Sequence, residues 1–140
     1  MPSGAAAGAV HPQGHQIVHL GDLASKFNLG LVKYMKGSPR GYAEARRLWG
    51  LAAAQGDARA QFNLGSMHHQ GNGGPHDFAE ARRLYGLAAA QGDARAQFNL
   101  GLMHAHGKGR PQDWAEARRL IGLAAAQGHA KAQASLAGTP

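Results

Sequence analysis

The strongest constraint in this sequence is a string of sixteen residues that occurs twice. GLAAAQGDARAQFNLG occupies residues 50–65 and returns unchanged at residues 86–101, an offset of 36 residues. The segment that begins at Tyr42 returns, with small changes, at Phe78 and at Trp114 with the same offset. A period of this length is typical of a solenoid, in which each unit is one supersecondary element that buries its apolar face against its neighbours.

Each unit divides into two predicted helices. The first spans about residues 58–69, where apolar side chains recur at helical spacing and Asp57 precedes them as an N-cap. The second spans about residues 78–91, where Asp77 and Glu80 form a capping-box pattern. A glycine suited to the left-handed position after a helix follows each second helix, at Gly56, Gly92 and Gly128. Each unit is therefore predicted to be an antiparallel helix hairpin.

The repeats divide the chain into an N-terminal arm and one repeat domain. The arm, residues 1–20, matches no repeat, and we expect it to be loose or to cover the open face of the first unit. The domain, residues 21–140, contains repeats at about 22–56, 57–92 and 93–128 and a capping helix at 129–137. We expect Asp22 and Asp93 to cap first helices as Asp57 does. The predicted fold class is all-α, a solenoid of about three tandem helix hairpins with a final capping helix.

The composition agrees with a helical fold and excludes several kinds of site. Val, Ile and Thr are nearly absent and aromatic residues make up 6% of the chain, which disfavours β-sheets. Because there is no cysteine, disulfides, thiolate zinc sites and thiol nucleophiles are excluded. The formal net charge of +7 favours acidic partners, which include nucleic acids and acidic peptides. We see no signal peptide and no membrane-spanning stretch, so we expect a cytoplasmic protein with no membrane partner.

The unit also matches a known repeat pattern. It reads Ala-x-Phe-Asn-Leu-Gly-x-Met, then Gly-x-Gly, then Asp-aromatic-x-x-Ala, carried by Phe62-Asn63-Leu64-Gly65, Met67 and Asp77-Phe78. Over about residues 22–137 this pattern resembles the Sel-one-like repeat family, a relative of the tetratricopeptide repeats. The resemblance implies a right-handed superhelix whose first helices line a concave groove, and a role as an adaptor or scaffold that binds other proteins.

Repetition turns two positions of the first helices into rows of candidate partner-binding residues. The cations of one row lie in the first helical turn, where a positive charge opposes the helix dipole, so we expect them to bind the carboxylates of a peptide. The amides of the other row, four residues further on, are placed to hydrogen-bond a peptide backbone. Alternatively, the arginines pair with Asp57 and Asp93, and the asparagines hold the neighbouring helix. The candidates are Arg59, Arg95 and Lys131 in one row and Asn28, Asn63 and Asn99 in the other.

The second helices carry another ladder, made of arginine pairs. A glutamate stands three residues before the second arginine of each pair, so we expect that arginine to form a weak surface ion pair. The first arginine has no evident partner. The resulting basic stripe suggests an alternative function, contact with the phosphates of nucleic acid, although a solvated face is the simpler explanation. The pairs are Arg46-Arg47, Arg82-Arg83 and Arg118-Arg119, and the glutamates are Glu44, Glu80 and Glu116.

Catalysis and cofactor binding find little support in the sequence. The serines lack the context of a nucleophile and no phosphate-binding loop follows a strand, so we expect neither an enzyme nor a cofactor. The histidines suggest a metal hypothesis, through His11, His15 and His19 in the arm or His68, His69, His104 and His106 in the repeats. No carboxylate stands at a ligand spacing beside them, and we expect no metal. The leading hypothesis is a protein that binds a protein or acidic peptide in its groove, with a homodimer as an open alternative.

Overall fold

The computed structural model describes residues 20–138, with side chains from Asp22 onward, as seven α-helices without a strand. The helices are α1 Leu20–Met35, α2 Pro39–Ala54, α3 Ala58–Gln70, α4 Phe78–Ala90, α5 Ala94–His106, α6 Trp114–Ala126 and α7 Ala130–Ala137. Odd-numbered helices are the first helices of their units, so three hairpins are followed by the single helix α7. The predicted all-α solenoid is confirmed. None of the described helices combines the length and the apolar character needed to cross a membrane.

The first unit begins differently from the prediction. Because α1 starts at Leu20, inside the predicted arm, Asp22 lies in the first helical turn and does not precede the helix as a cap. The helix α2 starts at Pro39, three residues earlier than the later second helices would suggest, and the side chain of Ser38 accepts the N–H of Gly41 at 3.0 Å. Proline at the first helical position after a serine cap is a favourable start. The rest of the predicted arm, residues 1–19, lies outside the described residues.

A glycine in each first helix lets the two helices of a hairpin approach closely. Gly30, Gly65 and Gly101 face Trp49, Tyr85 and Ile121 of the paired second helices. A Cβ atom at Gly65 would lie 2.9 Å from two ring carbons of Tyr85, well inside the optimal separation of two carbon atoms. The Leu-Gly pair of the repeat is therefore a packing requirement.

Successive hairpins are joined by the second helix of one unit and the first helix of the next. At the first of these interfaces, Ala45 and Trp49 of α2 pack with Leu64 and Met67 of α3. The small alanine side chains allow the helix axes to come close, and the larger residues fill the remaining space. The same arrangement returns between α4 and α5. At the last interface Ala132 is the one buried residue of α7, which is 8 residues long, and it packs with Ile121 and Ala124 of α6.

Hydrogen bonds of glutamine side chains also connect the helices, which hydrophobic periodicity alone does not reveal. Gln61 is only 4% exposed and donates to the carbonyl oxygen of Ala53 at 3.2 Å. Gln91 donates to the Oε1 atom of Gln61 at 2.8 Å, and Gln127 donates to that of Gln97 at 2.9 Å. A buried amide without a partner costs about 1–3 kcal/mol. The bond from Gln61 to Ala53 therefore joins α3 to the preceding unit, whereas the bonds of Gln91 and Gln127 hold the two helices of one hairpin together.

In two of the three pairs on the second helices, the first arginine has partners where the sequence suggested none. The guanidinium of Arg46 donates to the carbonyl oxygen of Asn72 from Nη2 at 2.9 Å and from Nε at 3.1 Å. Arg82 donates to the carbonyl oxygen of Lys108 at 2.6 Å. Each of these two arginines therefore ties the loop of the next hairpin to the preceding second helix. Arg118, at the equivalent position, is exposed and has no such partner within residues 20–138.

The second arginines follow the prediction in two units and depart from it in one. Arg83 pairs with Glu80 at 2.7 Å and Arg119 pairs with Glu116 at 2.6 Å. The predicted pair of Glu44 and Arg47 is wrong, because Glu44 contacts Lys33 at 3.6 Å. Because Arg46 and Arg82 also donate to loop carbonyl groups, the arginines of the second helices do not form a continuous row of free cations.

The histidines beside the loop arginines make stability depend on pH. Arginine can only donate, so the Nδ1 atom of His68, 3.2 Å from Nη1 of Arg46, must accept, which requires a neutral ring. Burial, and then the charge of Arg46, lowers the pKa of His68 below its ordinary value. Burial and Arg82 do the same to the pKa of His104. Unfolding therefore takes up protons as the pH falls below about 6.5, the ordinary pKa of histidine.

We accordingly expect the protein to unfold at a lower urea concentration at about pH 5 than at about pH 7.5. These two histidines stabilise the folded protein fully at pH values above the pKa that histidine has in the unfolded chain. This stabilisation is lost as the pH falls through the lower pKa values that they have in the folded protein. Urea titrations at both pH values measure the difference, and the variant His68→Asn/His104→Asn should reduce it. Equal midpoints for the unaltered protein at the two pH values would contradict this account.

Candidate functional site

The first helices α3, α5 and α7 form a groove, here called the first-helix groove and defined by two cavities along it. One cavity, of about 320 Å³, is lined by His69, Gln70, Tyr85, Asn99, Leu102, Met103, His106 and Lys108. The other, of about 390 Å³, is lined by Phe62, Arg95, Phe98, Asn99, His129, Ala130 and Lys131. The cavities adjoin at Asn99, and neither lining contains a carboxylate. The groove therefore offers cations, amides and aromatic rings to a ligand.

The arginines of the candidate row are held in place from two sides. Arg59 pairs with Asp57 at 2.9 Å, and its guanidinium carbon lies 4.2 Å from the ring centre of Phe27 in the preceding unit. Arg95 repeats the arrangement with Asp93 at 2.8 Å and with Phe62 at 4.2 Å. Both side chains remain about half exposed, at 49% and 50%. The predicted pairing with the caps is thus present, and it leaves both guanidinium groups accessible.

The carboxylates beneath these arginines are ionised. Burial alone would raise the pKa of Asp57, but the hydrogen bonds and charge of Arg59 and the backbone N–H groups of the first helical turn bring that pKa below its ordinary value. The pKa of Asp93 is lowered in the same way. Because each carboxylate keeps its charge, it offsets most of the charge of its arginine. The two internal arginines are therefore fixed donors with little net charge around them.

The last cation of the row has different surroundings. In place of an aspartate, His129 caps α7, and its Nδ1 atom accepts the N–H of Ala132 at 3.2 Å. The imidazole ring stacks on Phe98 with ring centres 4.8 Å apart. Lys131 is exposed, and within residues 20–138 it contacts no carboxylate. Its charge is therefore not offset by a neighbour.

The asparagine row makes few internal hydrogen bonds. Asn99 donates to the hydroxyl oxygen of Tyr85 at a long 3.4 Å. The side chain of Asn63 is partly exposed and that of Asn28 is exposed, and neither bonds to another described side chain. The prediction that these amides hold a neighbouring helix therefore fits Asn99 only, and weakly. The row keeps unused donors and acceptors on the surface of the first helices.

The structure brings together half of the six candidates. Arg95, Asn99 and Lys131 line one cavity, whereas Arg59, Asn63 and Asn28 lie further towards α1 and line neither cavity. Sequence reasoning assigned Phe62 and Phe98 no role in the groove. The signal for them was present, since the Phe-Asn-Leu-Gly string places an aromatic ring directly before each asparagine. Lys108 was also missed, because its position in a loop hides its distance to α3.

The histidines do not form a metal site in the part of the chain that the structure describes. Across residues 20–138, no three His, Asp or Glu side chains converge as ligands. His68 and His104 instead accept from Arg46 and Arg82. His11, His15 and His19 lie outside the described residues. Among the aromatic residues of the second helices, Trp49 and Tyr85 are each 2% exposed, whereas Trp114 is 56% exposed.

Comparison with known proteins agrees with this architecture. The family described as the Sel1 repeat matches three times, at residues 23–57, 58–93 and 94–129. No curated protein sequence gives a match. Among solved structures, a Sel1 repeat protein from Oxalobacter formigenes is 34% identical with a TM-score of 0.75, over 85% of this chain and 90% of that one.

A second similar structure is a much larger protein. The protective antigen c5321 of uropathogenic Escherichia coli, which displays an SLR fold, is 37% identical with a TM-score of 0.74. The alignment covers 80% of this chain and only 24% of that one. The three matched repeats, together with the hairpins and their Leu-Gly contacts, show that this chain belongs to the Sel1 repeat family, whose members generally serve as scaffolds for protein interactions.

Proposed function

We propose that the protein is a non-catalytic adaptor that binds a partner protein, through an acidic segment, in the first-helix groove. The observation that supports this proposal most is the lining of the two adjoining cavities, which holds cations, amides and rings and no carboxylate. An extended peptide carries backbone donors and acceptors that Asn63 and Asn99 can pair with, and acidic side chains that match the cations. The proposed contacts are Arg95, Asn99 and Lys131 in the groove, and Arg59, Asn63 and Asn28 along the first helices towards α1.

The held arginines favour binding because little freedom remains to be lost. Ordering a mobile side chain at an interface costs about 0.5–1.5 kcal/mol. Arg59 and Arg95 are already fixed by an aspartate and a phenylalanine ring, yet each is about half exposed. A planar guanidinium in this position can still offer its outer N–H groups to a carboxylate. The cap aspartates therefore orient the arginines and leave a binding edge free.

The alternative of nucleic-acid binding on the second helices has less support. It requires a continuous row of cations, but Arg46 and Arg82 donate to loop carbonyl groups, and Arg83 and Arg119 pair with glutamates. Of the remaining arginines, Arg118 lines a cavity together with the exposed Trp114, but the described second helices form no row of exposed rings for base stacking. A homodimer stays a proposal that needs its own test of oligomeric state.

Binding of a labelled peptide tests the proposal. We expect a glutamate-rich peptide of about ten residues to bind at about 150 mM salt, as measured by fluorescence anisotropy. Replacing both arginines of the first-helix row, in Arg59→Ala/Arg95→Ala, should weaken binding about tenfold, since two oriented donors are lost. The variant Arg83→Ala/Arg119→Ala is the matched control, because it removes two equally charged, ion-paired arginines from the second helices. It should change the affinity less than about twofold.

A random DNA duplex measured under the same conditions gives the competing outcome. If only DNA binds, and if the groove substitutions leave its affinity unchanged, the second-helix surface is the functional one and the proposal is wrong. Equal losses for both arginine variants would also contradict it, since they would indicate attraction by net charge alone.

A further inference from the structure

The cap and cation positions of the first helices change from one end of the groove to the other. In α3 and α5 an aspartate cap stands two residues before an arginine, as Asp57 with Arg59 and as Asp93 with Arg95. In α7 the same two positions hold His129 and Lys131. The two internal positions thus contain ion pairs, whereas the last contains a cation without a carboxylate.

The structure shows why Lys131 remains free. In the internal units the ring of the preceding phenylalanine lies beneath an arginine, at 4.2 Å from Phe27 and from Phe62. At the last position His129 stacks on the ring of Phe98, while its Nδ1 atom caps α7. The histidine therefore replaces both the carboxylate of the cap and the stacked cation. Lys131, exposed beside the cavity, has no ring contact and no ion pair within residues 20–138.

The cavity beside Lys131 is suited to an anion. Arg95 and the amide of Asn99 line it together with Lys131, so three side chains with N–H groups face one volume of about 390 Å³. Phe62 and Phe98 form part of its walls. A carboxylate bound here would meet the uncompensated charge of Lys131, the fixed guanidinium of Arg95 and the unused amide of Asn99, and charged donors form the stronger hydrogen bonds.

We infer that the acidic residues of the bound segment are anchored between α5 and α7, on Lys131 with Arg95 and Asn99 beside it. This inference rests on the proposed function and adds an orientation to it. Beyond the opposite end of the groove, in α1, the residues equivalent in sequence to the cap and the cation are an exposed Asp22, which lies within the first helical turn, and Ala24. A carboxylate there would meet a like charge without a cation at that position. The acidic part of the partner therefore points towards α7, and its neutral part lies over α1 and α3.

Two substitutions that exchange the caps test this orientation. His129→Asp gives α7 the same cap as α3 and α5, so that an aspartate caps the helix and offsets the charge of Lys131. We expect it to weaken binding of the glutamate-rich peptide at least about threefold, while the melting temperature is kept or raised because aspartate is a good cap. Asp93→His removes the carboxylate from Arg95, with His129 as the precedent that histidine can cap such a helix. We expect the uncompensated charge gained at Arg95 to outweigh the lost orientation, so binding should tighten.

The results separate this inference from the proposed function. Weaker binding by His129→Asp and tighter binding by Asp93→His would support the anchor between α5 and α7. Unchanged affinity in both folded variants, with the loss in Arg59→Ala/Arg95→Ala retained, would overturn the anchor and leave groove binding intact. Absence of peptide binding by the unaltered protein would overturn both proposals.

Discussion

Replacing Gly65 by alanine is expected to lower the free energy of unfolding by about 1–3 kcal/mol. The added Cβ atom would meet the Cδ1 and Cε1 atoms of Tyr85 at 2.9 Å. The ring cannot move aside easily, because Tyr85 is 2% exposed and its hydroxyl group is hydrogen-bonded to Ser66 at 2.9 Å. The two helices of the hairpin must therefore separate. Urea unfolding followed by circular dichroism measures the loss.

Gly86 supplies the matched control in the second helix of the same hairpin. A Cβ atom there would meet nothing within 4 Å, so Gly86→Ala changes only the backbone propensity. We expect it to stabilise the protein by about 0.5–1 kcal/mol, because alanine in a helix loses less conformational entropy than glycine. Equal effects of the two substitutions, in either direction, would show that the contact with Tyr85 does not constrain the hairpin.

Arg46→Ala is expected to destabilise the protein by about 2 kcal/mol. The substitution removes the hydrogen bonds from the guanidinium to the carbonyl oxygen of Asn72 and the contact with His68. Those bonds join α2 to the loop after α3, so their loss weakens the contact between successive units. Thermal or urea unfolding measures the change, and amide hydrogen exchange around Asn72 should increase with it.

The neighbouring residue provides the control for this prediction. Arg47 carries the same charge, is exposed, and makes no ion pair within the described residues. Arg47→Ala should therefore change stability by less than about 0.5 kcal/mol. If both alanine variants lost the same amount, net charge or helix propensity would explain the effect, and the link to the loop would not.

The helical repeat was predictable because its signals are local and repeated. The side chains of Asp57 and Asp93 cap helices, and that of Asp77 caps one by accepting the backbone N–H of Glu80. Each of these signals depends only on residues within one turn. The first unit was harder, because Ser38 and Pro39 begin α2 with a different cap. The links from Arg46 and from Gln61 could not be predicted. They depend on which loop or helix end lies opposite a side chain, and a single sequence does not specify that distance.

The rows of cations and amides along the first helices could be predicted from the sequence, whereas the contacts that hold these side chains in place could not. The 36-residue spacing placed Arg59 and Arg95 on successive first helices, and it also suggested their pairing with the caps. It did not reveal that Phe27 and Phe62 lie beneath the two arginines. That contact joins the residue of one unit to the ring of another, so it depends on how closely the units pack.

The central claim is that a partner binds along the first helices, and mapping the bound peptide by nuclear magnetic resonance tests it most directly. The chain labelled with ¹⁵N is titrated with the glutamate-rich peptide, and the amide resonances are followed. We predict shifts for the side-chain amides of Asn63 and Asn99 and for the backbone around Lys131. Shifts confined to the second helices, around the exposed Leu87 and Leu123, would contradict the account and place the binding surface on the opposite helices.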